Sequence, residues 1–312
     1  MVAVRRALRR HWPRMLITLL PVLLALVHAT GLYRFSFLDR LDHFIYDARL
    51  RSTLPRTLDS RIVIVDIDES SLQQLGQWPW GRDKLAHLTT EIMERQRAAV
   101  LGFDVVFAEP DGSSSLQTLE RHVAGPLRGV PGLAEEIQRM APALDHDAAF
   151  ARALAGHRVT LGYYLTQRGA KGLLPDPVLP ADAFPAQHGY ATQWAGFGGN
   201  IAPLATVAAS GGFLNMLVAS SNDGLVRSAP LLARYDGTAA KPGYYESLGL
   251  AMFRLANGAQ PLGATLTKQD ALNALLLPLG TAPLRIPVDQ GGSVLVPFRG
   301  PGGATGGSFR YV

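Results

Sequence analysis

The sequence predicts an α/β protein: a mixed, largely parallel sheet flanked by helices, with an N-terminal transmembrane helix and a long Gly/Pro-rich insertion. Three observations predict it. Residues 15–32 are apolar, residues 61–67 and 99–107 are β-rich runs that flank a helical pattern, and residues 166–209 are rich in Gly and Pro. A helix between two buried strands implies a right-handed crossover and a parallel pair. A Gly/Pro-rich stretch predicts loops.

The positive charge of the chain is concentrated at its N-terminus. The first 14 residues contain five Arg and no acidic residue, and the net charge is +5, so the rest of the chain is neutral. Nucleic-acid binders carry a basic patch on a folded face, and we therefore expect no nucleic-acid partner. The chain contains no cysteine, which leaves the stability of an exported domain to its core.

Residues 15–32 contain no charged side chain apart from His28, and these 18 residues are just long enough to span a bilayer. The basic tail before them orients the helix in the inner membrane, so that the N-terminus lies in the cytoplasm and the rest of the chain lies in the periplasm. A cleavable signal peptide is the alternative, because Val27-His28-Ala29 fits a cleavage site. The apolar run continues to Leu32 and Phe37 and favours an uncleaved anchor. The predicted organisation is a cytoplasmic tail (1–14), a transmembrane helix (15–33), a juxtamembrane helix with linker (34–57) and a periplasmic domain (58–312).

The elements after the anchor follow from hydrophobic spacing. Apolar residues at 38, 41, 44, 45 and 48 form one helical stripe and predict a juxtamembrane helix that ends before Pro55. The β-branched run 62–65 predicts a strand buried on both faces. Further along we expect a short helix (70–76), an amphipathic helix (82–97), a second buried strand (98–107), a loop (112–132), a helix broken at Pro142 with Asp145 as N-cap (133–155) and a third strand (158–165).

In the C-terminal part we expect two strands (212–218 and 225–235) joined by a turn at 221–224, where Asp223-Gly224 is a strong turn signal. A helix is expected at 244–256. Residues 284–287 and 293–298 predict a hairpin around 289–292. The chain closes with the start of another strand at 309–312.

Several motifs occur in a fixed order along the chain: YDAR (46–49), VIVDIDESSL (63–72), GQWPWGR (76–82), GFDVVFAEP (102–110), residues 147–154, GGFLN (211–215), DGLVR (223–227) with Pro230-Leu231, Glu246-Ser247-Leu248 and PFRG (297–300). Together they resemble the CHASE2 family of extracytoplasmic sensor domains in bacterial membrane receptors. The resemblance runs from about residue 38 to residue 312.

The resemblance implies a periplasmic ligand-sensing module that follows one transmembrane helix. Further membrane helices and a cytoplasmic output domain come after it in the family, often an adenylate or guanylate cyclase or a kinase. This chain is therefore expected to be C-terminally incomplete and not itself an enzyme. The partners that the resemblance implies are the lipid bilayer, an unidentified small-molecule or ionic ligand, and a second copy of the chain in a homodimeric receptor.

Five carboxylates follow the two predicted parallel strands, where open α/β sheets place their ligand sites: Asp66, Asp68, Glu69, Asp104 and Glu109. One interpretation is a site for a divalent cation or a cationic ligand. The structural alternative has Asp68 capping the helix that begins near Ser70, with Asp66 and Asp104 binding backbone amides and Arg82. The scattered histidines lack zinc-site spacing, and no resident metal or cofactor is predicted.

Trp78, Trp80 and Arg82 could line a ligand pocket by stacking and charge pairing, or could anchor the core and a turn. We expect Arg82 to pair with Asp104 or Asp68. Arg227 is a candidate anion-binding residue beside a tight turn.

The Asp66-Ile67-Asp68 pattern is also typical of haloacid-dehalogenase phosphatases, in which one carboxylate attacks phosphorus and the second transfers a proton. Glu69-Ser70 departs from that family, and the chain contains neither a P-loop nor a GxSxG elbow. We therefore expect a sensing domain. The alternatives are an exported phosphohydrolase of that type and a dimerisation module that binds no ligand.

Overall fold

The computed structural model describes residues 2–30, 32–33, 35–55, 57–185, 189–216, 225–300 and 309–312. The helices are α1 Val2–Ala29, α2 Ser36–Thr53, α3 Glu69–Leu75, α4 Arg82–Thr90, α5 Leu116–Ala124, α6 Leu133–Leu144, α7 His146–Leu154, α8 Ala202–Ala205 and α9 Leu248–Ala256. The strands are β1 Asp59–Ile64, β2 Leu101–Phe103, β3 Val159–Thr166, β4 Ala170–Lys171, β5 Leu179–Pro180, β6 Thr192–Trp194, β7 Gly196–Gly198, β8 Ser210–Phe213, β9 Ser228–Pro230, β10 Leu232–Tyr235, β11 Gly243–Glu246, β12 Gly263–Leu266, β13 Leu272–Leu279, β14 Ala282–Pro287, β15 Ser293–Leu295 and β16 Phe309–Tyr311.

The chain divides into two compact units. The first combines Met1–Ile67 with Pro297–Val312, and the second is Asp68–Val296. A mixed α/β architecture is confirmed. The helix predicted to end before Pro55 is confirmed too, since α2 ends two residues before that proline. Among the helices of the described residues, none combines the length and the apolarity needed to cross a membrane.

In the first unit, β1 is a strand as predicted, but its partner and its environment differ from the prediction. It pairs in parallel with β16, with Asp59 opposite Phe309 and Ile64 opposite Tyr311. Ile62 and Val63 are 50% and 47% exposed, so burial on both faces is wrong. The β-branched run reports strand propensity, which does not specify how many neighbours cover the strand.

The second unit contains the sheet that organises the core. Its strands run β2-β3-β7-β4, and β8 also pairs with β3. The pairs β2–β3 and β3–β8 are parallel, whereas β3–β7 is antiparallel. The predicted parallel pairing of the first two strands is therefore wrong, because β2 takes β3 as its parallel neighbour and β1 takes β16.

This sheet is mixed and largely parallel, as predicted, since β4 also pairs in parallel with β7. The prediction of a single sheet is wrong. The described strands of the second unit form three further sheets, β5-β11-β10-β6, β12-β13-β14 and β15-β9. The Gly/Pro-rich segment was expected to leave the sheet, yet it returns to it through β7 and β4. Short Gly-containing strands permit this return, because a Cβ on Gly198 would lie 2.0 Å from the ring of Tyr164.

Two helical predictions need correction. The region 112–132 was expected to be a loop and contains α5. Pro142 lies within α6, and the break comes at Asp145, whose side chain accepts a hydrogen bond from the Ala148 N–H at 2.9 Å. The predicted N-cap at Asp145 is confirmed.

The C-terminal predictions are partly wrong as well. Residues 244–256 begin as β11 and become helical only at α9. The predicted hairpin does not form, since β14 pairs with β13 and β15 pairs with β9. The turn at 221–224, including Asp223 and Gly224, lies outside the described residues. The final strand is confirmed as β16.

Helices α4 and α7 pack against each other and cover β2 and β3. Phe103, Phe107 and Phe150 meet there edge to face, with ring centroids 5.2–5.8 Å apart. Burial of such a ring contributes about 2–3 kcal/mol. This apolar cluster fixes the N-terminal ends of α4 and α7 against each other, and these ends carry the charged residues described next.

Candidate functional site

Arg82 is the best-anchored of the predicted site residues. It is 6% exposed at the first position of α4. Its guanidinium donates to the Asp147 carboxylate and to the Glu109 carbonyl, and it lies 5.3 Å from the centre of the Phe107 ring. The prediction that Arg82 pairs with Asp104 or Asp68 is wrong. Asp147 takes this place because it lies in the first turn of α7, which packs on α4.

Asp111 completes the same network. Its carboxylate accepts hydrogen bonds from the backbone N–H groups of Arg82 (2.8 Å) and Ser113 (2.9 Å), and from the Ser113 hydroxyl (3.0 Å). Its own N–H donates to Asp147 at 3.1 Å. Burial alone would raise the pKa of Asp111, but these donors outweigh it and leave the pKa below its ordinary value.

Asp83, Asp111 and His146 are close enough to share a metal ion, since one ligand atom from each lies within 4.8 Å of the others. The Nδ1 atom of His146 is 3.1 Å from Asp111 and 3.7 Å from Asp83. Both oxygens of Asp111 already accept protein donors. The arrangement therefore favours a structural role, in which the loop 109–113 is held against the starts of α4 and α7.

The predicted carboxylates do not form one shared cluster of contacts. Asp68 caps α3, accepting from the Ser71 N–H (2.8 Å) and hydroxyl (2.7 Å), and these bonds lower its pKa. The capping role confirms the structural alternative for Asp68. The same hydrogen bonds occupy one of the two carboxylates that a phosphatase would need. Asp66 belongs to the first unit, where its N–H donates to the Val312 carbonyl.

The remaining predicted residues lie on the surface or at turns. Glu109 is exposed and pairs with Lys171 at 2.5 Å, which lowers its pKa. Glu69 and Asp104 are exposed, and Asp104 makes no side-chain hydrogen bond or ion pair to the described residues. Arg227 is half-buried, and its carbonyl accepts from the Val296 N–H.

The two tryptophans stack edge to face at 5.9 Å. Trp80 donates its indole N–H to the Gly76 carbonyl at 2.7 Å and packs against the phenylalanine cluster. Trp78 is the more exposed of the two. These contacts favour the interpretation of Trp80 as a core and turn anchor.

A cavity of about 350 Å³ lies elsewhere in the second unit, between β3, β8, α9 and the segment 175–178. Glu246, at the end of β11, is 4% exposed and pairs with Arg254 of α9 at 2.5 Å through Oε1. Its Oε2 is buried and has no hydrogen-bond partner among the described residues, and the same holds for Oη of Tyr163. Both residues line the cavity.

The electrostatics of these two groups are linked. Burial raises the pKa of Glu246, although the hydrogen bond from Arg254 opposes the rise. Burial also raises the pKa of the Tyr163 hydroxyl, and the charge of Glu246 adds to it. Tyr163 is thus held as a neutral hydroxyl beside a carboxylate whose second oxygen is unpaired.

The sequence profile of the CHASE2 domain matches residues 19–312. The chain belongs to the CHASE2 family. CHASE2 domains are extracytoplasmic sensor domains, and this domain is accordingly a sensing module of the periplasmic side. No curated protein and no solved structure matches the chain.

Sequence reasoning did not select several buried or half-buried polar residues of this CHASE2 domain as site residues: Asp111, His146, Asp147, Glu246 and Arg254. A signal existed for two of them. Glu246 and Arg254 are the only charged residues in the otherwise apolar and Gly/Ser-containing run YYESLGLAMFRLA (244–256). Charged residues within a buried run are expected to pair. Asp111 and Asp147 carried no such signal, because both stand in polar loop and cap sequences.

Proposed function

We propose that this chain is the ligand-sensing input domain of a bacterial transmembrane receptor and regulates a cytoplasmic adenylate or guanylate cyclase or kinase. The CHASE2 match over residues 19–312 carries this proposal. The sequence alone proposes ligand contacts by Asp66, Asp68, Glu69, Trp78, Trp80, Arg82, Asp104, Glu109 and Arg227. Four of them, Asp68, Trp80, Arg82 and Glu109, have partners within the protein. Transmission requires a ligand that binds two conformations of the domain with unequal affinity.

Residues 15–33 would anchor the domain in the inner membrane. The support is the uncharged apolar sequence that follows a basic tail. The side chains from Leu16 to Leu26 add to it, because most of the large apolar ones among them are at least 40% exposed. An apolar helix surface of this kind is stabilised when lipid covers it.

Helix α2 would carry the signal and pair with a second copy of the chain. Leu38, Leu41, Ile45 and Ala48 follow the alternating three- and four-residue spacing of a coiled-coil seam. No residue of α2 is buried, and Ile45 is 54% exposed. A second α2 helix, laid against this stripe, would cover it in a homodimeric receptor.

Cysteine labelling tests the location of the domain, because the chain has no native cysteine. Gln73→Cys lies on the exposed surface of α3, and Ala7→Cys lies in the basic tail. A membrane-impermeant maleimide added to spheroplasts should label Gln73→Cys at once and Ala7→Cys only after permeabilisation. Labelling of Gln73→Cys only after permeabilisation would overturn the proposed location.

Disulfide trapping tests the role of α2. Ile45→Cys should form a covalent dimer in oxidised membranes, whereas Arg40→Cys, on the other side of the helix, should not. In the full-length receptor, Ile45→Pro should uncouple the activity of the output domain from the ligand, with Ile45→Ala as the control. Unchanged coupling in Ile45→Pro would count against α2 as the link.

A further inference from the structure

Two residues that line the cavity carry polar atoms without a hydrogen-bond partner among the described residues. A buried acceptor without a donor costs stability, so two such atoms on the lining of one cavity call for a reason. Oε2 of Glu246 and Oη of Tyr163 both lack a partner within the described part of the chain, and their residues are 4% and 1% exposed. A bound molecule that hydrogen-bonds to both atoms would remove this cost.

The space is large enough for such a molecule. A water molecule occupies roughly 30 Å³ of liquid, whereas the cavity measures about 350 Å³. Small-molecule sites typically span about 300–1,000 Å³. The volume therefore suits a small organic ligand at the lower end of that range.

The wall chemistry restricts the ligand class. Pro175, Pro177, Val178 and Leu255 supply apolar surface, and the two prolines have no N–H to offer an anion. The cation of the site, Arg254, already donates to Glu246 through Nη1 and to the Gln260 carbonyl through Nε. An anionic ligand would meet the Glu246 carboxylate, whereas an N–H donor would pair with its free oxygen.

We infer that this cavity is the ligand site of the domain and binds a small amine or amide, whose N–H group donates to Oε2 of Glu246 while the Tyr163 hydroxyl bonds a second N–H group or the amide oxygen. The inference rests on the proposed sensing function and assigns its site. It places the ligand away from two of the predicted carboxylates. Asp68 caps α3, and Glu109 pairs with Lys171 on the surface. Arg254 acts as a positioning residue that holds the carboxylate.

Three probes of similar shape test the ligand class: isobutyramide, isobutylamine and isobutyrate. The purified chain in mild detergent is heated at about pH 7.5 with millimolar probe, because so small a molecule binds weakly. The amide and the amine should raise the melting temperature in a saturable way. Isobutyrate, which has the same shape as the amide but only acceptors, should leave the melting temperature unchanged.

Two variants locate the effect. Glu246→Gln keeps the side-chain shape but can present an amide nitrogen to the ligand in place of Oε2, so the shift with isobutylamine, which has only donors, should disappear. Tyr163→Phe should raise the Kd about threefold to tenfold, as expected for one hydrogen bond. Glu109→Gln makes the same carboxylate-to-amide change at a 74% exposed side chain and should leave the shift unaltered.

Equal shifts with all three probes, no shift with any of them, or a shift that survives Glu246→Gln would overturn the cavity as an amine or amide site. Such a result would leave the cysteine-labelling outcome untouched, so the failure of this inference is separable from a failure of the proposed function. Labelling from the wrong side of the membrane would overturn the function whatever the probes do.

Discussion

Two buried arginine–carboxylate pairs in this CHASE2 domain differ in what they leave unpaired. Arg82 and Asp147 belong to a network in which Asp111, Ser113 and the Glu109 carbonyl accept or supply further hydrogen bonds. Arg254 and Glu246 also form a direct pair, at 2.5 Å, yet Oε2 of Glu246 has no partner among the described residues. A satisfied network holds segments together. A pair with an unpaired buried oxygen leaves a position for another molecule.

The first network explains why a motif that looked like a ligand site has a structural role. The WPWGR segment places Arg82 at the start of α4, and the loop 109–113 and the start of α7 close over it. A Cβ on Gly81 would lie 2.5 Å from Asp83 and 2.6 Å from the Ser113 hydroxyl. The glycine therefore permits the close approach that the network requires.

Removal of Arg82 should give the largest loss of stability. Arg82→Ala leaves Asp147 buried without its cation, and this should lower the free energy of unfolding by about 3–5 kcal/mol. Urea denaturation measures the change, with Arg95→Ala as the control, because Arg95 forms an exposed pair with Glu91 and should cost less than about 1 kcal/mol. If Arg82→Ala does not fold, Arg82→Lys should show an intermediate loss. Equal effects of Arg82→Ala and Arg95→Ala would contradict the structural role.

Substitution of two buried tyrosines extends the comparison, and the expected changes in stability are smaller than for Arg82→Ala. The Tyr163 hydroxyl has no hydrogen-bond partner within the described ranges, whereas Tyr245 donates to the Lys241 carbonyl at 2.7 Å. Tyr163→Phe should leave stability unchanged or raise it by up to about 1 kcal/mol, and Tyr245→Phe should lower it by about 1 kcal/mol. Thermal unfolding of both variants without added ligand reports the difference. A loss in Tyr163→Phe as large as that in Tyr245→Phe would mean that the Tyr163 hydroxyl is already bonded in the free protein.

The pH dependence of stability should have opposite signs in the two regions. The pKa of folded Asp111 lies below its ordinary value of 3.8, so its contribution is present above that pH and is lost as the pH falls through the folded-state pKa. The pKa of folded Glu246 lies above its ordinary value of 4.5, so stability decreases as the pH rises from 4.5 through the folded-state pKa. Glu246→Gln should remove that decrease, and Asp111→Asn should remove the loss on the acid side.

Urea titrations from about pH 3 to pH 8 measure both slopes. These changes in slope are the smallest of the expected effects, since each comes from the pKa shift of a single group. They lie in separate ranges, below pH 3.8 for Asp111 and above pH 4.5 for Glu246. A profile that Glu246→Gln leaves unchanged would mean that the carboxylate is solvated in the folded state.

Local features of this fold could be predicted from the sequence, while pairings over long distances could not. Helix α2, the cap at Asp68, the cap at Asp145 and strand β3 follow from residue spacing and side-chain chemistry within a few residues. The partner of β1 is β16, which is more than 240 residues away and carries no mark in the run 62–65. Hydrophobic runs specify that a strand forms, and tertiary packing decides its neighbour.

For the candidate site, too, distant partners could not be predicted from the sequence. The sequence predicted that Arg82 pairs with a carboxylate, but it indicated Asp68 or Asp104 as the partner. Packing of α7 on α4 supplies Asp147 from 65 residues away. The Glu246–Arg254 pair spans only eight residues and could have been found from the two charges within an apolar run.

The most direct test of the comparison makes the same chemical change in each pair. In Asp147→Asn an amide nitrogen faces a donor of Arg82 or Asp111. In Glu246→Gln the amide nitrogen can take the place of Oε2, to which no described residue donates. At pH 7, urea denaturation should show a loss of about 3 kcal/mol for Asp147→Asn and a change within about 1 kcal/mol for Glu246→Gln. Equal losses in the two variants would show that Glu246 is as fully bonded as Asp147 and would contradict a ligand site at its free oxygen.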